Sequence, residues 1–296
     1  MRESKKPIAV ANNLIKLLDI VLGVDRYPVD LKWLALEYSR EKFPNAYIED
    51  ITDDDLPGFE GALYKKVKNN SEPRWLIIYN NQIIKPERIN FTLAHEFGHY
   101  LLHRDEEAKF ECSQENLSSF YDYAEREVEA NRFAAQLLMP IHDFREQVNG
   151  CEFNFELMEH CTNRYQASLT AVVLKWIEFT SKRAIIVVSR DGFILWTRSS
   201  TPAFKSGVYI KTVDSPPVPI PEKSLASQRS NFHTTKVEFQ HPAGVWWEDE
   251  SVKELTVFPK KFDIVLTLLL FSDETSNRLT QYEEEDTEDL WEPPRW

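Results

Sequence analysis

The sequence has few cysteines and no pattern that would pair them. Three cysteines occur among 296 residues, Cys112, Cys151 and Cys161, and none belongs to a Cys-x-x-Cys pair. A structural zinc ribbon is therefore not expected, and an odd count argues against a disulfide framework. We interpret the three residues as free thiols in a reducing cytoplasm. A zinc nucleobase deaminase is excluded as well, since its Pro-Cys-x-x-Cys signature is missing.

Long apolar segments and positive charge are also scarce. The amino terminus, MRESKKP, is followed by no long apolar run, so we expect no signal peptide. The apolar run 264–271 is too short to span a bilayer, and we predict a cytoplasmic protein without a membrane anchor. The net charge is −13, with seven acidic residues and one arginine in 283–296. An acidic chain gains nothing from releasing phosphate counterions, which argues against strong non-specific nucleic-acid binding.

The most informative feature is a His-Glu-x-x-His motif at His95, Glu96 and His99. On a helix, residues four apart share a face, so both imidazoles can bind one metal ion. Glu96 lies one step round the helix, where it can act as a general base on a water molecule. This is the arrangement of a zinc hydrolase. The alternative is a surface helix with solvated histidines. The apolar residues on both sides of the motif favour burial, and buried polar groups need partners.

A second cluster offers a third ligand. Residues 125–139 are rich in Ala, Leu, Glu and Arg, which predicts a helix, and Pro140 ends it. Glu127 and Asn131 are four apart, so the carboxylate can bind zinc while the amide hydrogen-bonds another ligand. Without the first motif, an amphipathic helix with solvated glutamates would be the better interpretation.

Segments 91–103 and 127–140 together resemble the two signature segments of the ImmA/IrrE metallopeptidases, strongly over 91–140 and weakly over 7–180. The resemblance implies an α+β fold with a zincin-like core of the gluzincin type. It also implies His95 and His99 as zinc ligands, Glu96 as catalytic base and Glu127 as third ligand. Glu129 is the competing third ligand. The implied cofactor is Zn²⁺, although Mn²⁺ suits the same ligands. The implied substrate is a regulatory protein, typically a helix-turn-helix repressor cut under stress.

Other polar residues receive weaker assignments. Tyr121, Tyr123 and His142 are unranked candidates for the donor that stabilises the oxyanion. His103 lies a further turn, ~6 Å, along the helix from His99, so a straight helix cannot bring it to the same ion. We interpret it as a helix-end residue favoured by the helix dipole, with a packing role.

The order of predicted elements places strands before the motif helix. We predict helices at 7–22 and from an Asp30 cap to about Tyr38, a loop at Asp53–Gly58, and Pro86 in the first turn of the motif helix. Strands are predicted at Phe59–Val67 and Trp75–Tyr79. By resemblance to gluzincins, 75–79 is nominated as the edge strand to which substrate adds, with an ordinary buried strand equally compatible. The polar stretch 104–126 is predicted to be a long connection near the site.

The carboxyl-terminal half changes from helical to strand patterns. Residues 141–182 are predicted to be helical, and 165–177 resembles the helix-turn-helix-like segment that follows the family's peptidase core. That segment lacks a basic stripe, so packing or partner recognition is favoured over DNA contact. From 183 onward, a hairpin around Arg190-Asp191-Gly192 and strands at 233–239, 245–247 and 254–258 are predicted. In the strand at 245–247, Trp246 and Trp247 would face opposite ways, with one of them in the core.

These patterns predict four regions. They are a zinc peptidase domain (1–145), a helical segment (146–182), a β-rich module, GAF-like sensor or interaction module (183–272), and an acidic tail without fixed structure (273–296). In the tail, Trp291 and Trp296 are candidate anchors for a partner. The long carboxyl-terminal half also motivates a second hypothesis, a zinc-binding regulatory scaffold that binds its partner without cleaving it.

Overall fold

A computed structural model describes residues 6–67, 72–105, 109–111, 120–213, 215–231, 234–259 and 264–272, with side chains except at 109–111, 120–124 and 230–231. The chain forms two compact units. The first takes in the described residues up to Cys151 together with His160–Ser168. The second takes in Glu152–Glu159 and the described residues from Leu169 onward. Cys112 and the acidic tail with its two tryptophans lie outside the described residues.

Two helices, α1 (Pro7–Leu22) and α2 (Leu31–Lys42), open the first unit as predicted. Pro7 stands in the first turn of α1, where its missing N–H removes no helical hydrogen bond. The carboxylate of Asp30 accepts a hydrogen bond from the backbone N–H of Trp33 at 3.0 Å and so caps α2. This second helix runs beyond the predicted Tyr38.

A four-stranded sheet, with strand order β1-β3-β2-β4, forms the β layer of the first unit. Its strands are β1 (Ile48–Asp54), β2 (Gly61–Lys66), β3 (Arg74–Asn80) and β4 (Lys109–Glu111). Strand β3 is parallel to β1, and the pairs β2–β3 and β2–β4 are antiparallel. The predicted strands in 59–67 and 75–79 are confirmed. The prediction missed β1, which includes two of the three aspartates that it assigned to a loop.

The nomination of 75–79 as a substrate-binding edge strand is wrong. Strand β3 lies between β1 and β2 and forms hydrogen bonds with both. Trp75 and Ile77 are also fully buried, which fits the alternative of an ordinary buried strand. Its backbone groups are therefore already paired and are not available to an added strand.

Two long helices, α3 (Pro86–His103) and α4 (Phe120–Leu138), carry the predicted site residues and pack against each other. Pro86 stands in the first turn of α3, as predicted. Helix α4 begins earlier than predicted, so the carboxyl-terminal part of the supposed connection 104–126 is helical. Three more helices follow, α5 (Ile141–Val148), α6 (Phe155–Tyr165) and α7 (Leu169–Phe179), in agreement with the helical pattern of 141–182.

The second unit contains a six-stranded antiparallel sheet in the order β7-β6-β5-β10-β9-β8. Its elements are β5 (Ala184–Arg190), β6 (Phe193–Ser199), α8 (Thr201–Lys205), β7 (Val218–Pro219), a 3₁₀ segment (Ala226–Asn231), β8 (Lys236–His241), β9 (Val252–Val257) and β10 (Ile264–Phe271). The apolar run 264–271 is the strand β10, paired on both sides, which explains its continuous hydrophobicity.

The predicted turn chemistry of this sheet is confirmed at the β5–β6 hairpin. Asp191 and Gly192 have φ angles of 52° and 81°, the left-handed conformation that a two-residue hairpin turn requires. The strand predicted at 245–247 is wrong, because these residues form bends. Trp246 is nevertheless buried and Trp247 half-buried. Buried aromatic residues are also common in strands, which is why the pattern predicted one here.

Among the helices of the described residues, none combines the length and the apolar character that crossing a bilayer requires.

Candidate metal centre

The motif helix is buried on all sides over its carboxyl-terminal two thirds. Every residue from Thr92 to His103 is buried, including the ionisable residues His95, Glu96, His99 and His103. Leu93, Ala94, Phe97, Tyr100 and Leu101 supply apolar packing, as the sequence pattern suggested. A concentration of buried ionisable groups on one helix is costly unless each has a partner.

The two motif histidines meet one carboxylate from helix α4. The Nε2 atoms of His95 and His99 are 3.0 Å apart. The carboxylate oxygens of Glu127 lie 3.2 Å from Nε2 of His95 and 3.1 Å from Nε2 of His99. These three side chains form a group that could hold a metal ion, with its ligand atoms mutually close.

Asn131 determines which nitrogen of His95 faces this group. Its Oδ1 lies 3.0 Å from Nδ1 of His95. A carbonyl oxygen can only accept, so Nδ1 carries the proton and Nε2 presents a lone pair to His99 and Glu127. The structure therefore places the amide of Asn131 within hydrogen-bonding distance of His95, one of the predicted ligands.

The donor set fits a divalent cation. Two imidazole nitrogens and an anionic carboxylate converge at 3.0–3.2 Å, an arrangement that suits a cation lying between them. In tetrahedral zinc sites, bonds of about 2.0–2.1 Å put neighbouring ligand atoms roughly 3.3 Å apart. The observed separations are close to that value, and two imidazoles with one carboxylate match the ligands of open zinc sites.

The environment favours the protonation states that a metal requires. Burial lowers the pKa of His99 to about 4, against the opposing influence of Glu127, so this ring is neutral at neutral pH. Burial also raises the pKa of Glu127, but the adjacent imidazoles of His95 and His99 outweigh that effect and hold its pKa below the usual range. Neutral imidazole and ionised carboxylate are the forms that bind metals.

A glycine explains how closely the two helices approach. A Cβ atom on Gly98 would lie 2.9 Å from Cδ1 of Phe133 and 3.4 Å from backbone atoms of Ala130 on α4. The absence of that atom lets α4 pack tightly against α3. Glu127, one turn before Ala130, thereby reaches the histidine pair.

A second glycine, Gly61, lets the sheet of the first unit pack closely against Glu96, the predicted general base. Gly61 begins β2, and a Cβ there would lie 2.5 Å from Cγ2 of Thr92 and 2.9 Å from Oε1 of Glu96. Glu96 is only 1% exposed, so its carboxylate lies in the tight junction between helix and sheet. The sequence prediction singled out neither glycine, because each matters only through the element packed against it.

The remaining predicted residues divide into three cases. Glu129, the competing third ligand, lies 2.8 Å from Nε2 of His103 and is outside the metal group. His142 is exposed at the start of α5, 3.9 Å from Asp19, and is not in the group either. Tyr121 and Tyr123 lie on the first turn of α4, but their side chains are outside the described residues.

His103 makes contacts that its sequence interpretation did not include. It is the last residue of α3, as predicted, but it is only 3% exposed and contacts both His99 and Glu129. The histidine spacing of i, i+4 between His99 and His103 was the signal available for this contact.

Comparison with known proteins agrees with this geometry. The sequence model of a peptidase family, the IrrE N-terminal-like domain, matches residues 51–176. This range includes His95, His99 and Glu127. No curated protein sequence matches the chain significantly. Among solved structures, the chain is similar to one described as a Mycobacterium tuberculosis transcriptional regulator. The match covers 89% of this chain and 76% of that one. The TM-score is 0.55 at 12% identity, which indicates a shared fold.

Proposed function

We propose, from the premise that residues 51–176 form a domain of the ImmA/IrrE metallopeptidase family, that this protein is a zinc-dependent endopeptidase. The single observation that carries the proposal is the convergence of His95, His99 and Glu127, with Glu96 buried next to His95 on the same helix. If His95, His99 and Glu127 only stabilised the fold, the motif would not need the further buried carboxylate of Glu96.

The residues divide the chemistry between them. His95, His99 and Glu127 would hold the metal, which when bound acts as a Lewis acid on water and on the scissile carbonyl. Glu96 accepts the proton of the attacking water and delivers it to the leaving amine nitrogen. The products are a carboxylic acid and an amine, so protons balance without another acid. Tyr121, Tyr123 and His142 remain the proposed donors to the oxyanion.

The proposed substrate is a cytoplasmic regulatory protein, such as a helix-turn-helix repressor. This follows from the family resemblance, and it is compatible with the similar solved structure, which is described as a transcriptional regulator. We retain in the proposal the four regions 1–145, 146–182, 183–272 and 273–296, with the third as a sensor or interaction module. Binding of the partner without chelator-sensitive cleavage would favour the scaffold hypothesis instead.

The test is the substitution Glu96→Gln, assayed with zinc on candidate repressors. It removes the base but preserves size, so we expect cleavage to fall by about 10²–10⁴-fold while the zinc content is unchanged. Glu125→Gln, at an exposed position on α4, is the matched control and should keep full activity. Full activity in the Glu96 variant would remove the proposed mechanism.

A further inference from the structure

His103 is a buried imidazole between the metal group and a second carboxylate. Its Nδ1 lies 3.1 Å from Nδ1 of His99, and its Nε2 lies 2.8 Å from Oε2 of Glu129. Glu129 comes from α4, two residues after the proposed ligand Glu127. The chain of contacts therefore runs from a carboxylate, through two imidazoles, to the proposed metal position.

The direction of each hydrogen bond follows from the carboxylate. A carboxylate only accepts, so the Nε2–H of His103 donates to Glu129, and in the neutral ring Nδ1 of His103 keeps a lone pair. That lone pair accepts the Nδ1–H of His99. His99 must then carry its lone pair on Nε2, the atom that faces His95 and Glu127.

We propose that Glu129 and His103 are positioning residues that fix the tautomer and the ring orientation of the metal ligand His99. The inference rests on the proposed metal site, but not on the reaction performed there. It assigns to both residues a role that the His-Glu-x-x-His motif does not indicate.

The contact of Asn131 with His95 supports this interpretation by symmetry. Asn131 fixes the tautomer of His95 directly, and Glu129 fixes that of His99 through one intervening imidazole. Helix α4 thus supplies one metal ligand, Glu127, and the two groups that orient the other ligands. Glu127 and Asn131, four residues apart, share a face of α4, whereas Glu129 connects to His99 through the ring of His103.

The experiment measures Zn²⁺ affinity by competition with a chromophoric chelator, using the full chain. Glu129→Leu and His103→Phe each remove one contact of the chain, and both are combined in a double variant. Glu125→Leu is the control, since Glu125 is exposed on the same helix. Unfolding of each metal-free variant is measured in parallel, so that affinities are compared only between folded proteins.

We expect each single variant to bind Zn²⁺ about 10–100-fold more weakly, as is typical when the partner of a ligating histidine is lost. The double variant should bind Zn²⁺ no more weakly than the weaker-binding single variant, because Glu129 acts on His99 only through His103. Glu129→Gln keeps an acceptor oxygen and should lose less affinity than Glu129→Leu. A merely structural role would instead give independent losses that multiply in the double variant.

Nitrogen-15 NMR of the imidazoles gives a second readout. In the metal-free wild type, His99 should be protonated at Nδ1, and Glu129→Leu should increase the population protonated at Nε2. Protonation of His99 at Nε2 in the wild type would overturn the proposal. Losses of affinity below twofold in both single variants would also overturn it.

The failures of the two proposals are distinguishable. Wild-type protein that binds Zn²⁺ through this chain of contacts but cleaves nothing would contradict the proposed function and leave the positioning role intact. If the wild type cleaves its substrate while His103→Phe and Glu129→Leu bind Zn²⁺ normally, the positioning role is contradicted and the proposed function stands. A wild type that binds no Zn²⁺ would overturn both.

Discussion

Each unit of the molecule contains a glutamate beside a histidine, half-buried in the first unit and fully buried in the second, but their surroundings differ in kind. In the second unit, Glu254 on β9 is fully buried and accepts four hydrogen bonds. The donors are the backbone N–H groups of Leu225 and Ala226, the indole of Trp246 and the hydroxyl of Thr256, at 2.6–3.0 Å. Nε2 of His241 is 2.9 Å away but makes no hydrogen bond among the described residues, so donors other than the imidazole satisfy this carboxylate.

Glu127 in the first unit lies against two imidazole nitrogens, the Nε2 atoms of His95 and His99. With the tautomers proposed above, both of these atoms carry lone pairs. Burial alone does not distinguish a metal site from a structural carboxylate, because both side chains are shielded from solvent, Glu254 fully and Glu127 in part. The difference lies in whether the surrounding atoms donate hydrogens or present electron pairs that need a cation.

The largest expected effect on stability is at Glu254. Glu254→Gln places an amide N–H₂ against groups that are themselves donors, so the free energy of unfolding should fall by about 3–5 kcal/mol. Urea unfolding measures this loss, and Glu238→Gln at an exposed position on β8 is the control. Zinc affinity should be unchanged. A loss below ~1 kcal/mol would show that the donors do not depend on the carboxylate charge.

Glu127→Gln should affect zinc binding more than the stability of the metal-free protein, the opposite of Glu254→Gln. The metal-free protein should lose less stability than the Glu254 variant does, because the nearest described neighbours of Glu127 are two imidazole nitrogens proposed to carry lone pairs. In the wild type, Zn²⁺ at a hundred times its dissociation constant should add about 2.7 kcal/mol to the free energy of unfolding. The variant should lose most of that increment. Unfolding with and without Zn²⁺ measures it, and an undiminished increment would contradict the ligand assignment.

Asp143 sharpens the comparison, because it lies in the same unit as Glu127 but is satisfied by donors. It accepts hydrogen bonds from Arg164 at 2.7 and 2.9 Å and from the hydroxyl of Tyr165 at 2.5 Å. Burial raises its pKa, but these partners outweigh burial and hold its pKa below the usual value. Asp143 should therefore resemble Glu254 in supporting stability and not zinc binding.

The lowered pKa fixes the sign of the pH dependence. Because the folded protein binds this proton less tightly than the unfolded chain, the stabilisation is complete above the unfolded pKa and is lost as pH falls through the folded pKa. Asp143→Asn should cost about 2 kcal/mol at neutral pH and flatten the acid side of the stability profile. Unfolding measured from pH 7 down to acid tests this, and an unchanged acid slope would contradict it.

The smallest expected effect is at Gly98. Gly98→Ala gains about 1 kcal/mol of helix propensity but meets Phe133, and overpacking of this kind costs about 1–3 kcal/mol. The net loss should be about 1 kcal/mol, with weaker zinc binding because α4 moves away from α3. Gly61→Ala is the comparison, since its Cβ would meet Thr92 and Glu96. It should lower activity more than zinc affinity. Equal zinc affinities for wild type and Gly98→Ala would contradict the role of this contact.

The sequence was most informative where spacing along one helix determines geometry. The spacing of His95 and His99, and that of Glu127 and Asn131, predicted which side chains share a face, and the structure brings all four together. The hairpin at Asp191-Gly192 was equally local, since its left-handed residues identify the turn.

Features that depend on packing between distant segments were not predictable in this way. Sheet order is not encoded within a strand, so the central position of β3 was missed. The donors of Glu254 come from residues 225–226, 246 and 256, and no local pattern links them. The aromatic residues at 245–247 imitated a strand because burial and strand propensity favour the same side chains.

X-ray diffraction from crystals grown with Zn²⁺, with anomalous data collected at the zinc edge, tests the central claim most directly. We expect one anomalous peak within about 2.0–2.2 Å of Nε2 of His95, Nε2 of His99 and a carboxylate oxygen of Glu127. A peak coordinated by other residues, or an ordered site with no peak and Glu127 directed elsewhere, would contradict it.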